Sequence, residues 1–244
     1  MGILKKEMAF FIQTKDVDQQ DRIKPQSVFD LFQDIAGLHA EELGIGYRQC
    51  LADHRAWVIL YEEIEILNQP PYLADVKVIT WPKPKHRIEF EREFLMVDQA
   101  NRPLVKGISN WIVIDSESRR PVRASSIEFE GTYYDFTNYP FQTPRALQLD
   151  TSKLNEQFSY QVVYDDLDHN GHMNNARYIG MIYRHFTTRY PNAYFKKVAF
   201  AFIKETKVGE TLHVSYGFTA PNEVCFVGTV AEHRSFECKV ELEE

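Results

Sequence analysis

The sequence lacks any uninterrupted apolar segment near the ~20 residues that a membrane-spanning helix needs. Its first seven residues contain no apolar core of a secretion signal. Lys6 also stands where a myristoylation signal requires Ser or Thr. From these absences we expect a cytoplasmic protein that does not act at a membrane.

Cysteine and positive charge are also scarce. The three cysteines, Cys50, Cys225 and Cys238, lack the spacing of a metal site, and an odd number fits reduced thiols better than a disulfide framework. The net charge of −7 argues against a broad nucleic-acid surface, because such binding depends on neutralising phosphates. We therefore expect no metal, no cofactor and no nucleic-acid partner.

Apolar residues are plentiful: 44% of the 244 residues are hydrophobic and 14% are aromatic. A chain of this composition can bury a core, so extensive disorder is excluded. The length suits one large domain or two of about 120 residues.

Residues 164–186 place a polar cluster in front of a predicted helix. Asp, Asn and His side chains crowd around Gly171, a composition typical of irregular loops and helix caps. Apolar residues then recur at helical spacing, and Asn174 or Asn175 is a suitable N-cap. The apolar stripe consists of Ile179, Ile182, Tyr183, Phe186 and Tyr190. Polar groups thus precede a helix N-terminus, which stabilises negative charge, although an ordinary loop-to-helix junction collects the same residue types.

The two halves of the sequence show the same order of predicted elements, namely strand, loop, helix and four strands. In the first half these are strand 8–13, a helix from 25 to about 43, and strands 57–67, 76–81, 88–96 and 105–114. In the second half they are strand 158–164, the helix described above, and strands 194–205, 211–218, 224–230 and 235–242. We predict an N-terminal domain at 1–130, a linker at 131–156 and a C-terminal domain at 157–244.

A shift of about 150 residues superimposes the halves. It places Asp18 over Asp168, Gln20 over Asn170, and Arg22 over His172. The first half is therefore expected to keep the fold of this turn but to lack its catalytic side chains.

Glutamates alternate with apolar residues in one predicted strand of each half. Glu89, Glu91 and Glu93 do so in the first half, and Glu237 and Glu241 in the second. Such alternation predicts antiparallel sheets with one buried face and one face in water.

The motif Asp168-x-Asn170-x-His172-x-Asn174-Asn175-x-x-Tyr178 resembles the signature of the acyl-ACP thioesterase family, whose members release fatty acids from acyl carrier protein (ACP). The resemblance implies an α+β, tandem hotdog fold, in which each half is a long helix wrapped by an antiparallel sheet. It implies acyl carrier protein as the partner, and we also allow for a homodimer. Because no plastid targeting extension precedes the first predicted strand, we expect the bacterial type.

The same resemblance suggests roles for four side chains. Glu205 maps to the family's active-site acid, and Thr206 maps to a position that is Cys in many plant members. A Cys–His route is then unsupported, since no thiolate is available. We expect water to attack directly, with Glu205 as general base. His172 and Asn170 would position the water and the carbonyl, and Asp168 would orient them. The alternative is that Glu205 is a solvent-exposed strand residue without a catalytic role.

Three further sets of residues complete the expected site. The backbone N–H groups near Met173 and Asn174 are candidates for binding the oxyanion. An acyl slot in the first half would be lined by Phe29, Phe32, Ile35, Trp57, Ile59 and Trp111, each of which also fits plain core. Docking of the acidic carrier would use Lys83, Lys85, Arg87, Arg119, Arg120 and Arg123, although such clusters are often solubilising loops.

Three other functions stay open. The same fold could hydrolyse acyl-CoA, or it could bind acyl chains without catalysis. The Asp168, Asn170, His172 and Glu205 set argues against the non-catalytic reading. A hotdog dehydratase is disfavoured because the residues of the motif are those of the hydrolases.

Overall fold

The computed structural model of the chain describes residues 2–140, 142–144 and 146–243. Its contacts divide these residues into two compact units. The first contains the described residues up to Ile23 together with Asp30–Thr143, and the second contains Lys24–Phe29 with the described residues from Pro144 onward. Apart from the short segment Lys24–Phe29, the division lies at Thr143/Pro144. It falls within the predicted linker 131–156, whose described residues are shared between the two units.

The first unit is built on a five-stranded antiparallel sheet. Its strands are β2 (Lys6–Phe11), β3 (Arg55–Ile66), β4 (Asp75–Pro82), β5 (Glu89–Val97) and β6 (Pro103–Asp115), paired in the order β2-β4-β5-β6-β3. Two short strands, β1 (Ile3–Leu4) and β7 (Thr132–Tyr133), pair in parallel. Helix α2 (Tyr47–Ala52) belongs to this unit, and helix α1 (Pro25–Glu42) is divided, because its residues Pro25–Phe29 are counted in the second unit.

Helix α1 begins at Pro25, a residue suited to a first turn. It is followed by Gly44, whose φ of +70° favours glycine. Phe32 of this helix is fully buried and stacks on Phe94 of the sheet, with ring centroids 4.6 Å apart. Gly107 makes this packing possible, because a Cβ there would lie 2.5 Å from the Phe32 ring.

The second unit repeats this design. Its strands are β8 (Glu156–Gln161), β9 (Phe195–Phe202), β10 (Thr211–Ala220), β11 (Glu223–Val230) and β12 (His233–Leu242), paired in the order β8-β10-β11-β12-β9. Helix α3 (Asn175–Arg189) lies between the first two strands in sequence. The side chain of Asn174 caps it by accepting the Ala176 N–H at 2.9 Å. Both units thus share one strand order, which confirms the predicted repeat and the α+β class.

The prediction that the alternating glutamates lie on a solvent-exposed face of the sheets is wrong for several of them. Glu93 is fully buried and accepts hydrogen bonds from Thr137 and from the Asn138 N–H. In the second unit Glu237 is buried, and it accepts the Leu147 N–H at 3.1 Å. The described residues of the predicted linker therefore cover these carboxylates, because they supply the hydrogen bonds that buried acids require.

Three other element predictions need correction. Helix α2 was missed, because its six residues are too few to show a helical period. The strand predicted at 194–205 ends at Phe202, which leaves Glu205 in the following connection. The strand predicted at 158–164 runs from Glu156 to Gln161. No helix in the described ranges combines the length and apolar character that crossing a membrane demands.

A buried histidine in the first unit makes stability depend on pH. The ring of His39 accepts a hydrogen bond from Arg92, whose Nη1 lies 3.0 Å from Nδ1. Burial, followed by the positive charge of Arg92, lowers the pKa of His39 from 6.5 to about 4. The folded chain therefore keeps this ring neutral at a pH where the unfolded chain protonates it.

We predict that the free energy of unfolding falls as the pH is lowered from about 6.5 to about 4, by about 1.4 kcal/mol per pH unit at most. His39→Asn keeps an acceptor but cannot be protonated, so it should reduce this fall. Denaturant titrations at pH 7 and pH 4.5 measure the difference. The exposed His54, whose φ is +54°, provides the control His54→Asn. Equal pH dependence in the wild type and both variants would contradict the assignment.

Candidate active site

The polar cluster before α3 is a tight turn between Leu167 and Met173. The Asp168 N–H donates to the His172 carbonyl at 2.9 Å, and the Gly171 N–H donates back to the Asp168 carbonyl at 3.0 Å. Gly171 has a φ of +75°, a conformation that glycine adopts without strain. These bonds place Asn170 at the tip of the turn and His172 on its returning arm.

The carboxylate of Asp168 fixes the shape of this turn. One oxygen accepts the N–H groups of Asn170 at 2.8 Å and of His172 at 3.3 Å, while the other accepts the side-chain amide of Asn170 at 3.2 Å. Asp168 therefore orients the Asn170 amide directly. It acts on His172 through the backbone.

His172 and Glu205 converge although they are separated by more than thirty residues of sequence. Nε2 of His172 lies 3.2 Å from Oε1 of Glu205, and both side chains are about one quarter to one third exposed. The Met173 N–H donates to the Thr206 carbonyl at 2.8 Å, which ties the turn to the connection after β9. The structure thus brings together a carboxylate and an imidazole that are both reachable from solvent, and Asn170 is exposed at the tip of the same turn.

Buried hydroxyl groups contact the connection that carries Glu205. Thr206 is fully buried, and its Oγ1 lies 2.9 Å from Oγ of Ser235, which donates to the Lys204 carbonyl at 2.9 Å. Burial raises the pKa of Tyr178 against the opposing effect of its hydrogen bonds with Thr206 and Ser235. The Tyr178 hydroxyl therefore stays protonated. Sequence reasoning missed Ser235, since nothing in its local pattern distinguishes it from other strand residues.

The backbone groups expected to bind an oxyanion are already engaged. The Met173 N–H donates to Thr206, and the Asn174 N–H donates to the Asp166 carbonyl at 2.8 Å. This expectation was wrong for both residues, because an N–H in a short internal hydrogen bond has no proton left for a substrate. The N–H of Asn175, the first residue of α3, has no acceptor among the described residues.

The apolar residues expected to line an acyl slot are core residues in the structure. Trp57 packs edge-on against Phe90 with centroids 4.9 Å apart, and its Nε1 donates to the Ile45 carbonyl. Trp111 packs against the same cluster. Phe29, Phe32, Ile35 and Ile59 are buried. The acyl slot stays a prediction.

The basic residues expected to dock a carrier are partly brought together. Lys85, Arg87 and Arg123 line a surface pocket of about 500 Å³ in the first unit. Lys83 is instead engaged internally, since its Nζ lies 3.2 Å from Glu91 and donates to the Tyr139 carbonyl. Arg119 and Arg120 are exposed in the turn after β6.

The first unit contains the same turn without the reactive side chains. Asp18 accepts the N–H groups of Gln20 at 2.8 Å and Arg22 at 3.0 Å, as Asp168 does with Asn170 and His172. Asp21, with a φ of +57°, stands where the second unit has Gly171.

The counterpart of Glu205 follows from the hydrogen bonds after β3. The N–H groups of Leu67 and Asn68 both donate to the Leu104 carbonyl, just as those of Ile203 and Lys204 donate to the Ser235 carbonyl. The next residue is Gln69 in the first unit and Glu205 in the second. An amide cannot act as a general base, so the first unit lacks the acid as well as the histidine.

Comparison with solved structures defines the class of the fold. The chain is similar to an acyl-ACP thioesterase from Bacteroides thetaiotaomicron, with 22% identity, a TM-score of 0.85 and 98% of each chain covered. It is also similar to a 12:0-ACP thioesterase from Umbellularia californica, with 15% identity and a TM-score of 0.81 over 98% of this chain and 97% of that one. These likenesses confirm the tandem hotdog fold.

Sequence comparison gives the family. Residues 4–128 match the family model of the acyl-ACP thioesterase N-terminal domain, and residues 149–243 match that of the C-terminal domain. The chain belongs to the acyl-ACP thioesterase family. Among its relatives is a chloroplastic oleoyl-ACP thioesterase of Coriandrum sativum, 24% identical over 199 residues that make up 74% of this chain and 53% of that protein. A second, from Arabidopsis thaliana, is 25% identical over 71% of this chain and 52% of that protein. The chain thus spans about half the length of these relatives.

We predict that Gly171 can be replaced only by residues that tolerate a positive φ. Gly171→Val should lower the melting temperature and reduce turnover, because the strained turn no longer places His172 beside Glu205. Gly171→Asn should be close to wild type, since Asn tolerates the left-handed region and Asp21 already stands at the matching position. Thermal melts and steady-state kinetics on both variants test this, and equal behaviour of the two would contradict it.

Proposed function

We propose that the chain hydrolyses the thioester of fatty acyl-ACP and releases a free fatty acid and holo-ACP. The observation that carries the proposal is the 3.2 Å approach of His172 to Glu205 within the family's motif. Because the net charge of the chain is −7, an acidic carrier would have to meet a local basic patch.

The reaction needs one water and no other co-reactant. Water attacks the thioester carbonyl carbon while the Glu205 carboxylate takes its proton, which gives a tetrahedral oxyanion. Collapse of that oxyanion breaks the carbon–sulfur bond, and the proton passes from the enzyme to the leaving pantetheine thiolate. General-base assistance of this kind contributes roughly 10²- to 10⁴-fold to a rate.

Each neighbouring group has a part that its geometry supports. His172, 3.2 Å from Glu205, orients the carboxylate or the water. Asn170 has one side-chain N–H held by Asp168 and a second that can reach a substrate carbonyl. The N–H of Asn175, at the positive end of the α3 dipole, is the backbone donor that replaces those of Met173 and Asn174 in this scheme.

The environment of Thr206 favours water, rather than an enzyme side chain, as the nucleophile. This side chain is fully buried and hydrogen-bonded to another hydroxyl, so it faces away from solvent. The three cysteines are buried as well, and burial raises the pKa of each thiol. None of them is activated as a thiolate.

The carrier is proposed to dock at the basic pocket of the first unit. Arg87 and Arg123 are exposed there, and the Arg87 carbonyl accepts the Ala124 N–H at 2.8 Å, which holds the two basic segments together. Lys85 lies beside them with its Nζ 4.1 Å from the centroid of the Phe129 ring. Complementary charge of this kind raises the rate of association with an acidic protein.

The catalytic assignment predicts large losses of kcat. Glu205→Gln and His172→Ala should each lower kcat on acyl-ACP by about 100-fold or more, because base and orienting group are removed. Asp165→Asn changes an exposed acid in the same loop and serves as the control, with kcat near wild type. Release of free fatty acid by the purified chain is the measurement. Near-wild-type kcat in both site variants would reject the assignment.

The docking assignment predicts a carrier-specific change in KM. Arg87→Glu combined with Arg123→Glu should raise KM for acyl-ACP by about tenfold at low salt, because like charges then repel the carrier, while KM for acyl-pantetheine should not change. The exposed pair Arg48→Glu and Lys196→Glu controls for net charge. Assays with acyl-CoA in parallel decide between the two carriers. An unchanged KM for acyl-ACP would remove the pocket from consideration.

A further inference from the structure

The connection that carries Glu205 is anchored on both sides of the acid. On one side, the Ile203 and Lys204 N–H groups donate to the Ser235 carbonyl at 2.8 and 3.0 Å, and Ser235 Oγ donates to the Lys204 carbonyl. On the other side, Thr206 accepts the Met173 N–H on its carbonyl and meets Ser235 through its side chain. Glu205 therefore sits on a short span with both ends fixed.

A buried tyrosine completes this anchor. Tyr178 is the fourth residue of α3, and Thr206 and Ser235 lie close enough to its hydroxyl to oppose the rise of its pKa that burial causes. Its ring is packed edge-on against Phe202 and Phe236, with centroids 5.9 and 5.5 Å away. The three hydroxyl side chains thus lie between α3, the Glu205 connection and β12, and all three are buried.

The first half of the chain shows that this network is not required to build the fold. The residues that correspond to Tyr178, Thr206 and Ser235 are Val28, Pro70 and Leu104, none of which has a polar side chain. The backbone bonds are nevertheless kept, since Leu67 and Asn68 still donate to the Leu104 carbonyl at 2.8 and 3.0 Å. The half of the chain that lacks the acid and the histidine also lacks all three hydroxyls.

We propose that Tyr178, Thr206 and Ser235 are positioning residues that hold Glu205 at the distance from His172 at which it can take a proton from water. This inference rests on the proposed hydrolysis of a thioester. A hydroxyl bonded to the neighbours on both sides of Glu205 restricts the backbone on which the carboxylate turns. Displacement of a catalytic group by about 1 Å can cost about 100-fold in rate, so small restraints of this kind are large in kinetic terms.

The experiment compares substitutions that remove one hydroxyl each. Thr206→Val, Ser235→Ala and Tyr178→Phe should each lower kcat on acyl-ACP by about tenfold or more and leave KM within about twofold, since none of them touches the substrate. Thr206→Ser keeps the hydroxyl and should retain most of the activity. Thr187→Val removes a threonine hydroxyl that donates to the Tyr183 carbonyl at 2.7 Å within α3, and it should leave kcat unchanged.

A double-mutant cycle separates positioning from general destabilisation. In a Glu205→Gln background, Thr206→Val and Ser235→Ala should have no further effect on kcat, because they act through the lost carboxylate. Multiplicative losses in that background would overturn the proposal. Thermal melts identify any variant that fails to fold. In that case the kcat of Ser235→Ala, the smallest change, decides whether the positioning proposal holds.

Failure of the positioning network can be distinguished from failure of the proposed function. Wild-type turnover of acyl-ACP together with unchanged kcat in Ser235→Ala and Thr206→Val overturns the positioning network alone. A wild-type chain that releases no fatty acid from acyl-ACP, acyl-CoA or acyl-pantetheine overturns both.

Discussion

The backbone hydrogen bond from Met173 to Thr206 is the contact on which the site depends. It joins a turn before α3 to a connection after β9, and each of these segments carries only part of the chemistry. Without it, His172 and Glu205 belong to separate loops; with it, they lie 3.2 Å apart. The same bond uses up a donor that could otherwise have served the substrate, so assembly of the site and binding of an oxyanion fall to different backbone groups.

Much of the fold could be predicted from the sequence because helical and strand periods are local. Helix α1 was placed within a residue of its observed bounds, and Asn174 was one of two predicted caps of α3. The repeat was visible because the two units share element order and the Asp18/Asp168 turn. Three expected site residues, Asp168, Asn170 and His172, lie in the motif, and Glu205 followed only from family resemblance.

What the sequence could not show depends on contacts between distant segments. Glu93 and Glu237 fit a solvated strand pattern, yet they are buried because chain outside the sheet folds over them. Ser235 is an ordinary serine until the 203–206 connection is placed against it. The engaged N–H groups of Met173 and Asn174 could likewise be recognised only from the folded chain, since a hydrogen bond needs a partner that no period or motif identifies.

The turn at Asp18 has the backbone bonds of the Asp168 turn without its histidine. The Asp18 carboxylate accepts the N–H groups of Gln20 and Arg22, and the side-chain oxygen of Gln69 accepts the Ile23 N–H at 3.2 Å. The architecture of the turn and the reactivity of its counterpart therefore reside in different atoms. Building a second centre in the first unit would begin from side-chain replacements on a turn whose backbone already has the required shape.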